Sequence, residues 1–228
     1  MAHYLYYCGL IQIFKILKEA GLSIQYIQNE LQKVLVQNLS PKTFHEQLLF
    51  LLDHQLFPYI SGSNNQMYFM VIRDELTNYF TERQDLAESV FFELWQSPKS
   101  VLQWLITCLL PIILDKKKQL TDQIRNIITL NHNPLPLEFL AFYLASSYNT
   151  LSILPVSDFL ILAGSDEKYD RYVITLTMMY LRSEKVTSVL KDLLKILEND
   201  PSELVRSAVS RALKKVVPVK PYRSVSFG

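Results

Sequence analysis

The stretch that decides the fold is Glu198–Val217, ENDPSELVRSAVSRALKKVV. Apolar spacing predicts one helix over 186–198, ending here, and a second helix over 202–217. Asp200 can accept hydrogen bonds from the free N–H groups of the second helix, and Pro201 suits a first turn. The stretch therefore predicts an antiparallel pair of helices.

Both helices of this pair are amphipathic. The first is predicted to bury a face made of Val189, Leu190, Leu193, Leu194 and Leu197. The second is predicted to bury Leu204, Val205, Ala208, Ala212, Leu213 and Val216. Since Ala208 and Ala212 are small, the two helices can approach closely. One pair cannot bury both of its faces, so it needs a neighbour, and such stacks leave extended faces that bind proteins.

The Asp-Pro turn followed by Val205, Arg206, Ala208 and Ala212 resembles a HEAT-type helical repeat over roughly 186–217. The resemblance implies a stack of hairpins, in which Arg206 pairs with the turn acids of a neighbouring repeat. Only this hairpin shows the pattern. The hairpin is therefore predicted to be an end cap or a docking face of the stack. We expect partner binding at the cations of its second helix: Arg206, Arg211, Lys214 and Lys215.

The rest of the chain is predicted to be helices joined by short polar segments. The least helical part surrounds SGSNN at 61–65, where Tyr59–Ile60 and Met67–Ile72 could form two short strands. We predict an all-α fold of stacked antiparallel hairpins, similar to an α-solenoid, with a small two-stranded wing near 59–72 as an option. The predicted regions are an N-terminal helical region at 1–75, helical hairpins at 76–217 and an extended tail at 218–228.

Residues 6–72 also resemble a winged-helix domain in the order of their elements, with SPKTFHEQLLFLLDHQLF as the recognition helix. This alternative implies a transcription regulator with a helical sensor or dimerisation part, binding DNA through Lys42, Thr43, His45 and Gln47. Lys42 is the one firm cation, Glu46 lies beside it, and the wing segment has no Lys or Arg before Arg73. The chemistry therefore disfavours DNA binding.

Composition points the same way. The net charge is +1, without the basic surplus on which phosphate binders usually depend. Five glycines in 228 residues argue against glycine-rich phosphate loops. Cys8 and Cys108 lie in apolar runs outside any CxxC pattern, which favours two buried thiols in a reducing, intracellular setting, cytoplasmic or nuclear.

No motif for catalysis, cofactor binding or metal binding stands out. Walker A, GxGxxG, GxSxG and HExxH patterns are all missing from the sequence. The aromatic cluster Phe139, Phe142, Tyr143 and Tyr148 is predicted to be core, with a ligand groove as the alternative. The longest apolar run, Val101–Leu114, is shorter than the ~20 residues that a membrane-spanning helix needs. We therefore expect no enzymatic activity, no cofactor and no transmembrane segment. The predicted function is that of an interaction or scaffold module in a larger intracellular assembly, and the sequence does not indicate its oligomeric state.

Overall fold

The computed structural model describes residues 21, 23–56, 65–114, 120–151 and 155–216. All regular structure in these ranges is helical, which confirms the all-α prediction. The helices are α1 (23–35), α2 (Pro41–Phe50), α3 (Asn65–Thr81), α4 (Gln84–Trp95), α5 (Ser100–Ile106), α6 (Leu110–Ile113), α7 (Leu120–Leu130), α8 (Pro134–Leu151), α9 (Val156–Ala163), α10 (Lys168–Tyr180), α11 (Ser188–Leu197) and α12 (Glu203–Val216). A π turn, Leu51–Gln55, extends α2, and 3-10 turns lie at Thr107–Leu109 and Ser183–Lys185.

The chain divides into two compact units, Met1–Ile113 and Leu114–Gly228. The region boundary predicted after residue 75 falls inside α3, which runs continuously from Asn65 to Thr81. The tail predicted at 218–228 lies outside the described residues.

Helix α3 replaces one strand of the optional wing. Residues 67–72 are helical, so the strand predicted there is wrong. Tyr68, Ile72, Leu76 and Phe80 recur every four residues and form the buried stripe of α3. The segment from 67 to 72 is apolar at every position, and such a run fits a buried strand as well as a helix. The other predicted strand, 59–60, lies outside the described residues.

The first unit is built around α4. Helices α2, α3 and α5 all pack against it, and it contributes Phe91 and Trp95, whose rings stack at 5.3 Å. Helix α1 is tied to α3 because the Gln28 and Gln32 side-chain amides donate to the Glu75 carboxylate at 2.7 and 2.8 Å. These contacts hold the buried faces of the unit's helices together.

The second unit is built around α10. This helix packs between α8 and α12 and also contacts α9, so every residue from Asp170 to Met178 is buried. The remaining helices follow the same order, since α9 packs against both α7 and α11. The helices of this unit form three consecutive pairs, α7–α8, α9–α10 and α11–α12. The second helices of successive pairs therefore contact one another, and so do the first helices.

The C-terminal pair agrees with most of the predicted pattern. Leu190, Leu193, Leu194 and Leu197 are buried on α11, and Val205, Ala208 and Ala212 on α12. Val189 is 46% exposed, so its predicted burial is wrong. It lies about 100° around the helix from Leu190, at the edge of the apolar stripe. Helix α12 also buries Val209.

Candidate protein-binding face

Four turns between helices share one hydrogen-bond pattern, centred on Ser97, Asn131, Ser165 and Asp200. The N–H of each of these residues donates to the carbonyl three residues earlier, at 3.1, 3.2, 3.3 and 3.1 Å. The side-chain oxygen of each accepts from the N–H two residues later, at 3.3, 3.0, 3.2 and 2.8 Å. The next helix begins three residues after each of them. The four turns are therefore built in the same way.

These turns recur at a regular spacing. Successive central residues are 34, 34 and 35 residues apart. The sequence pattern revealed only the last turn, because the turn requires no more than a short side chain with an acceptor oxygen. Ser, Asn and Asp all provide such an oxygen. The hydrogen bonds therefore repeat from turn to turn, although the residue types do not.

The sixth residue after the turn centre often holds the turn closed. Gln103 donates to the Ser97 carbonyl at 2.6 Å. Arg171 Nη1 donates to the carbonyls of Ser165 and Asp166 at 2.7 and 2.8 Å. Arg206 Nη1 donates to the carbonyls of Asp200 and Pro201 at 2.7 and 2.9 Å. Arg206 therefore binds its own turn.

Arg206 was expected to form an ion pair with a turn acid of a neighbouring hairpin. In the structure the equivalent residue Arg171 forms such an ion pair. Its Nε and Nη2 donate to the two Asp200 carboxylate oxygens at 2.6 and 3.1 Å. Both side chains are almost fully buried, at 11% and 3% exposed. The hydrogen bond to Asp200 raises the pKa of Arg171. Arg171 thus ties its own turn to the turn that follows.

The second helices present matching positions on one surface. Residues 7, 11 and 15 positions after the turn centre lie on one side of a helix, because they are four apart. In α8, α10 and α12 these positions hold nine residues. Six of them form what we call the second-helix face: Glu138, Phe142, Tyr172, Tyr180, Arg211 and Lys215.

Contacts across the three helices hold this face together. Arg211 Nη1 lies 3.2 Å from Glu138 Oε1, and Arg211 also hydrogen-bonds the Tyr172 hydroxyl. Burial raises the pKa of Tyr172, so its hydroxyl stays neutral.

An aromatic contact completes the face. The Phe142 and Tyr180 rings meet edge to face at 5.5 Å, and Lys215 Nζ lies 5.6 Å from the Tyr180 ring centroid. Phe142 nevertheless remains 59% exposed, so the prediction that it is core is wrong. An exposed aromatic ring held against a tyrosine that also contacts a cation is suited to binding another protein.

The predicted partner-binding cations divide between two places. Arg211 and Lys215 belong to the second-helix face. Arg206 lies in the first turn of α12 and binds the preceding loop, and Lys214 is exposed on α12. The role of these cations in partner binding stays a prediction. The exposure of Phe142 was missed, since an aromatic residue in an apolar run is usually buried.

The residues proposed to bind DNA do not form one open cationic surface. Lys42 is exposed, but the Thr43 hydroxyl bonds Ser40 Oγ at 2.9 Å in the N-cap of α2. His45 faces α4, with Nε2 3.1 Å from Ser97 Oγ and Nδ1 3.4 Å from Glu93 Oε1. Thr43 and Gln47 line a surface groove of about 490 Å³ together with residues of both charges, Glu30, Lys33 and Glu46.

Among the described residues, no group of three metal-binding side chains comes together, and no helix is long and apolar enough to cross a membrane. Comparison of the chain with protein-family models, with curated proteins and with solved structures finds no match.

Proposed function

We propose that this protein is a helical-repeat module that binds protein partners through the second-helix face. It would serve as a non-catalytic scaffold subunit of a larger intracellular assembly. The observation that carries the proposal is Phe142, which is 59% exposed and held against the Tyr180 ring, to which Lys215 Nζ also lies close at 5.6 Å. Aromatic residues and arginine are enriched at the energetic centres of protein interfaces.

The repeated turns support a solenoid-like arrangement of the hairpins in the second unit. Packing in chain order, with one turn geometry every 34–35 residues, is what a stack of equivalent hairpins would give. The repeat is shorter than the roughly 40–47 residues of HEAT and armadillo repeats. We therefore propose the general class of helical-hairpin repeat and keep the HEAT-type resemblance as a narrower hypothesis.

The charges of the face favour an acidic partner segment with an apolar anchor. Glu138 partly neutralises Arg211, while Lys215 of the face and its neighbour Lys214, next to the face, remain exposed on α12. An apolar side chain of the partner could cover Phe142, and carboxylates could bind the two lysines.

Capture of partners by the full chain tests this proposal. Phe142→Ser and Lys215→Glu should each reduce the recovered partner at least about tenfold, because residues at an interface centre often contribute about 2 kcal/mol or more. Phe50→Ser is a matched control, since Phe50 is 56% exposed on α2 in the first unit. Equal recovery by the two face variants and the parent protein would contradict the proposal. Loss in the Phe50 variant would move the binding site to the first unit.

The winged-helix alternative, DNA binding by a transcription regulator, gains little support from the contacts of its residues. His45 is engaged with α4, and Thr43 is part of a helix cap.

A further inference from the structure

Arg206 has the same local geometry as Arg171 but lacks its carboxylate. In both residues Nη1 donates to two carbonyls of the preceding turn, five and six residues earlier. In Arg171 the other two donor atoms, Nε and Nη2, bind Asp200 in a bidentate pair. Within the part of the chain that the structure describes, no carboxylate takes this position on Arg206.

The side of α12 that carries Arg206 is also open where its counterpart is covered. Arg171 and Thr175, on one side of α10, are both buried, and the following hairpin packs against this helix. The equivalent residues of α12, Arg206 and Ser210, are both exposed. Ser210 is small and polar, so this side of α12 is stable in water and still allows another helix to approach closely.

We propose that this side of α12 is a second docking surface, separate from the second-helix face. Its occupant is the inter-helix turn of a helical hairpin from another polypeptide. That turn carries an Asp or Glu whose carboxylate binds Arg206 as Asp200 binds Arg171. The two carbonyl contacts hold the Arg206 guanidinium in place beforehand, so little side-chain entropy is lost when a carboxylate binds.

The geometry selects a carboxylate on a turn. Asp200 is oriented for Arg171 by the Ser202 N–H, which donates to it at 2.8 Å. A hairpin turn of the same kind would present its acid in the same orientation, at the spacing that packed helices require. Because this side of α12 is polar, the contact should be reversible, unlike the apolar packing between α10 and α12.

Site-specific photo-cross-linking tests the proposal in the cells that make the protein. The full chain carries p-benzoylphenylalanine in place of Ser210, and a control chain carries it in place of Ser157, which is exposed on α9. The cross-linked peptide should map to a partner segment within one helical turn of an Asp or Glu between two helices. No product above the Ser157 control overturns the proposal, as does cross-linking to nucleic acid, lipid or a segment without such an acid.

Charge exchange with the mapped partner provides the second arm. Arg206→Glu should weaken binding of the purified partner roughly tenfold or more, and changing the partner's acid to Lys should restore it. Arg206→Lys keeps the charge but loses the bidentate pair, so it should weaken binding less. Failure of the charge exchange to restore binding overturns the proposal, even if the Glu variant disturbs its own turn. Phe142→Ser should leave the cross-link at 210 intact, so the two surfaces fail separately.

Discussion

Asp200 joins three parts of the second unit through a single residue. Its carboxylate binds Arg171 of α10 and accepts from the Ser202 N–H, and its carbonyl accepts from Arg206 of α12. A carboxylate so deeply buried depends on its cation, because an unpaired charge in the interior is strongly destabilising. The turn before α12 is therefore held by a charge that α10 supplies.

Replacing Asp200 with Asn should lower the free energy of unfolding by about 3–5 kcal/mol, because Arg171 would be left buried without its counter-charge. Urea denaturation at neutral pH measures the change. Asp192→Asn is the control: Asp192 is 67% exposed and pairs with Lys195 at the surface. It should cost less than about 1 kcal/mol. Equal effects of the two variants would show that the Arg171 pair adds no special stability.

The same residue should make stability depend on pH in acid. Burial by itself would raise the pKa of Asp200, but hydrogen bonds from Arg171 and Ser202 lower it below the ordinary value. Its stabilisation is therefore complete above the unfolded-state pKa of about 3.9 and is lost as pH falls through the lower folded-state pKa. Below about pH 4 the parent protein should lose stability more steeply than Asp200→Asn does. Parallel curves from denaturation at a series of pH values would contradict this expectation.

The thiol of Cys108 should be unreactive toward alkylating reagents in the folded protein. Burial raises the pKa of its thiol to about 11, although a hydrogen bond with Thr77 and the charge of Arg73 oppose that rise. The thiolate is the reactive form, so iodoacetamide at about pH 8 should leave Cys108 unlabelled until a denaturant is added. Mass spectrometry of the peptide that contains Cys108 separates its labelling from that of Cys8. Rapid labelling of the native protein would mean that the core around Cys108 opens readily.

At the scale of elements, the recurrent turn explains why a buried amide lies in α5. Gln103 is 3% exposed and donates to the carbonyls of Ser97 and Trp95 at 2.6 and 3.3 Å. The equivalent position holds Arg171 in α10 and Arg206 in α12, and each of these also donates to its own turn. A long side chain with donor groups is therefore the common requirement, and it is met by different residue types.

Gln103→Leu should lower the free energy of unfolding by about 1–3 kcal/mol, because it removes a donor from two buried carbonyls while it keeps the apolar volume. Chemical denaturation measures the loss. Gln96→Leu is the matched control, since Gln96 is exposed and donates within its own helix. An equal loss in both variants would attribute the effect to the helix surface rather than to the turn.

The sequence predicted single elements better than it predicted their repetition. The helical period of α11 correctly predicted the burial of Leu190, Leu193, Leu194 and Leu197. The burial of Ala208 and Ala212 was equally visible. The burial predicted for Val189 was wrong because the local sequence does not show how wide the buried stripe of a helix is. The strand predicted over 67–72 was wrong because a uniformly apolar run shows no period. The face around Phe142 depends on which helices become neighbours, which no single helix reveals.

At the scale of the whole molecule, scarce glycine and helical spacing were enough to predict an all-α chain. The two compact units and the recurrence of one turn in both of them were not predictable. Polar acceptors such as Ser97 and Asn131 are common in ordinary loops, and only their hydrogen bonds distinguish them here.

The whole chain should not bind DNA in the manner of a winged-helix regulator. A net charge of +1 gives the protein little positive charge with which to displace the counterions of DNA, and His45 is engaged inside the first unit. Mobility-shift titration with duplex DNA at low salt should therefore show no salt-dependent complex. A complex that weakens steeply with added salt, and that Lys42→Glu abolishes, would favour the alternative instead.

The equal construction of the turns has a consequence for how this protein can change length. From each turn centre to the start of the next helix the distance is always three residues, whereas the spacing between centres is 34, 34 and 35. We therefore expect the gain or loss of one amino acid to be tolerated better in a stretch away from the capped turns, such as that between Tyr180 and Ser188, than beside a turn centre. A deletion in that stretch should change the stability of the fold little, whereas the same deletion beside Ser165 should disrupt the turn and destabilise its hairpin.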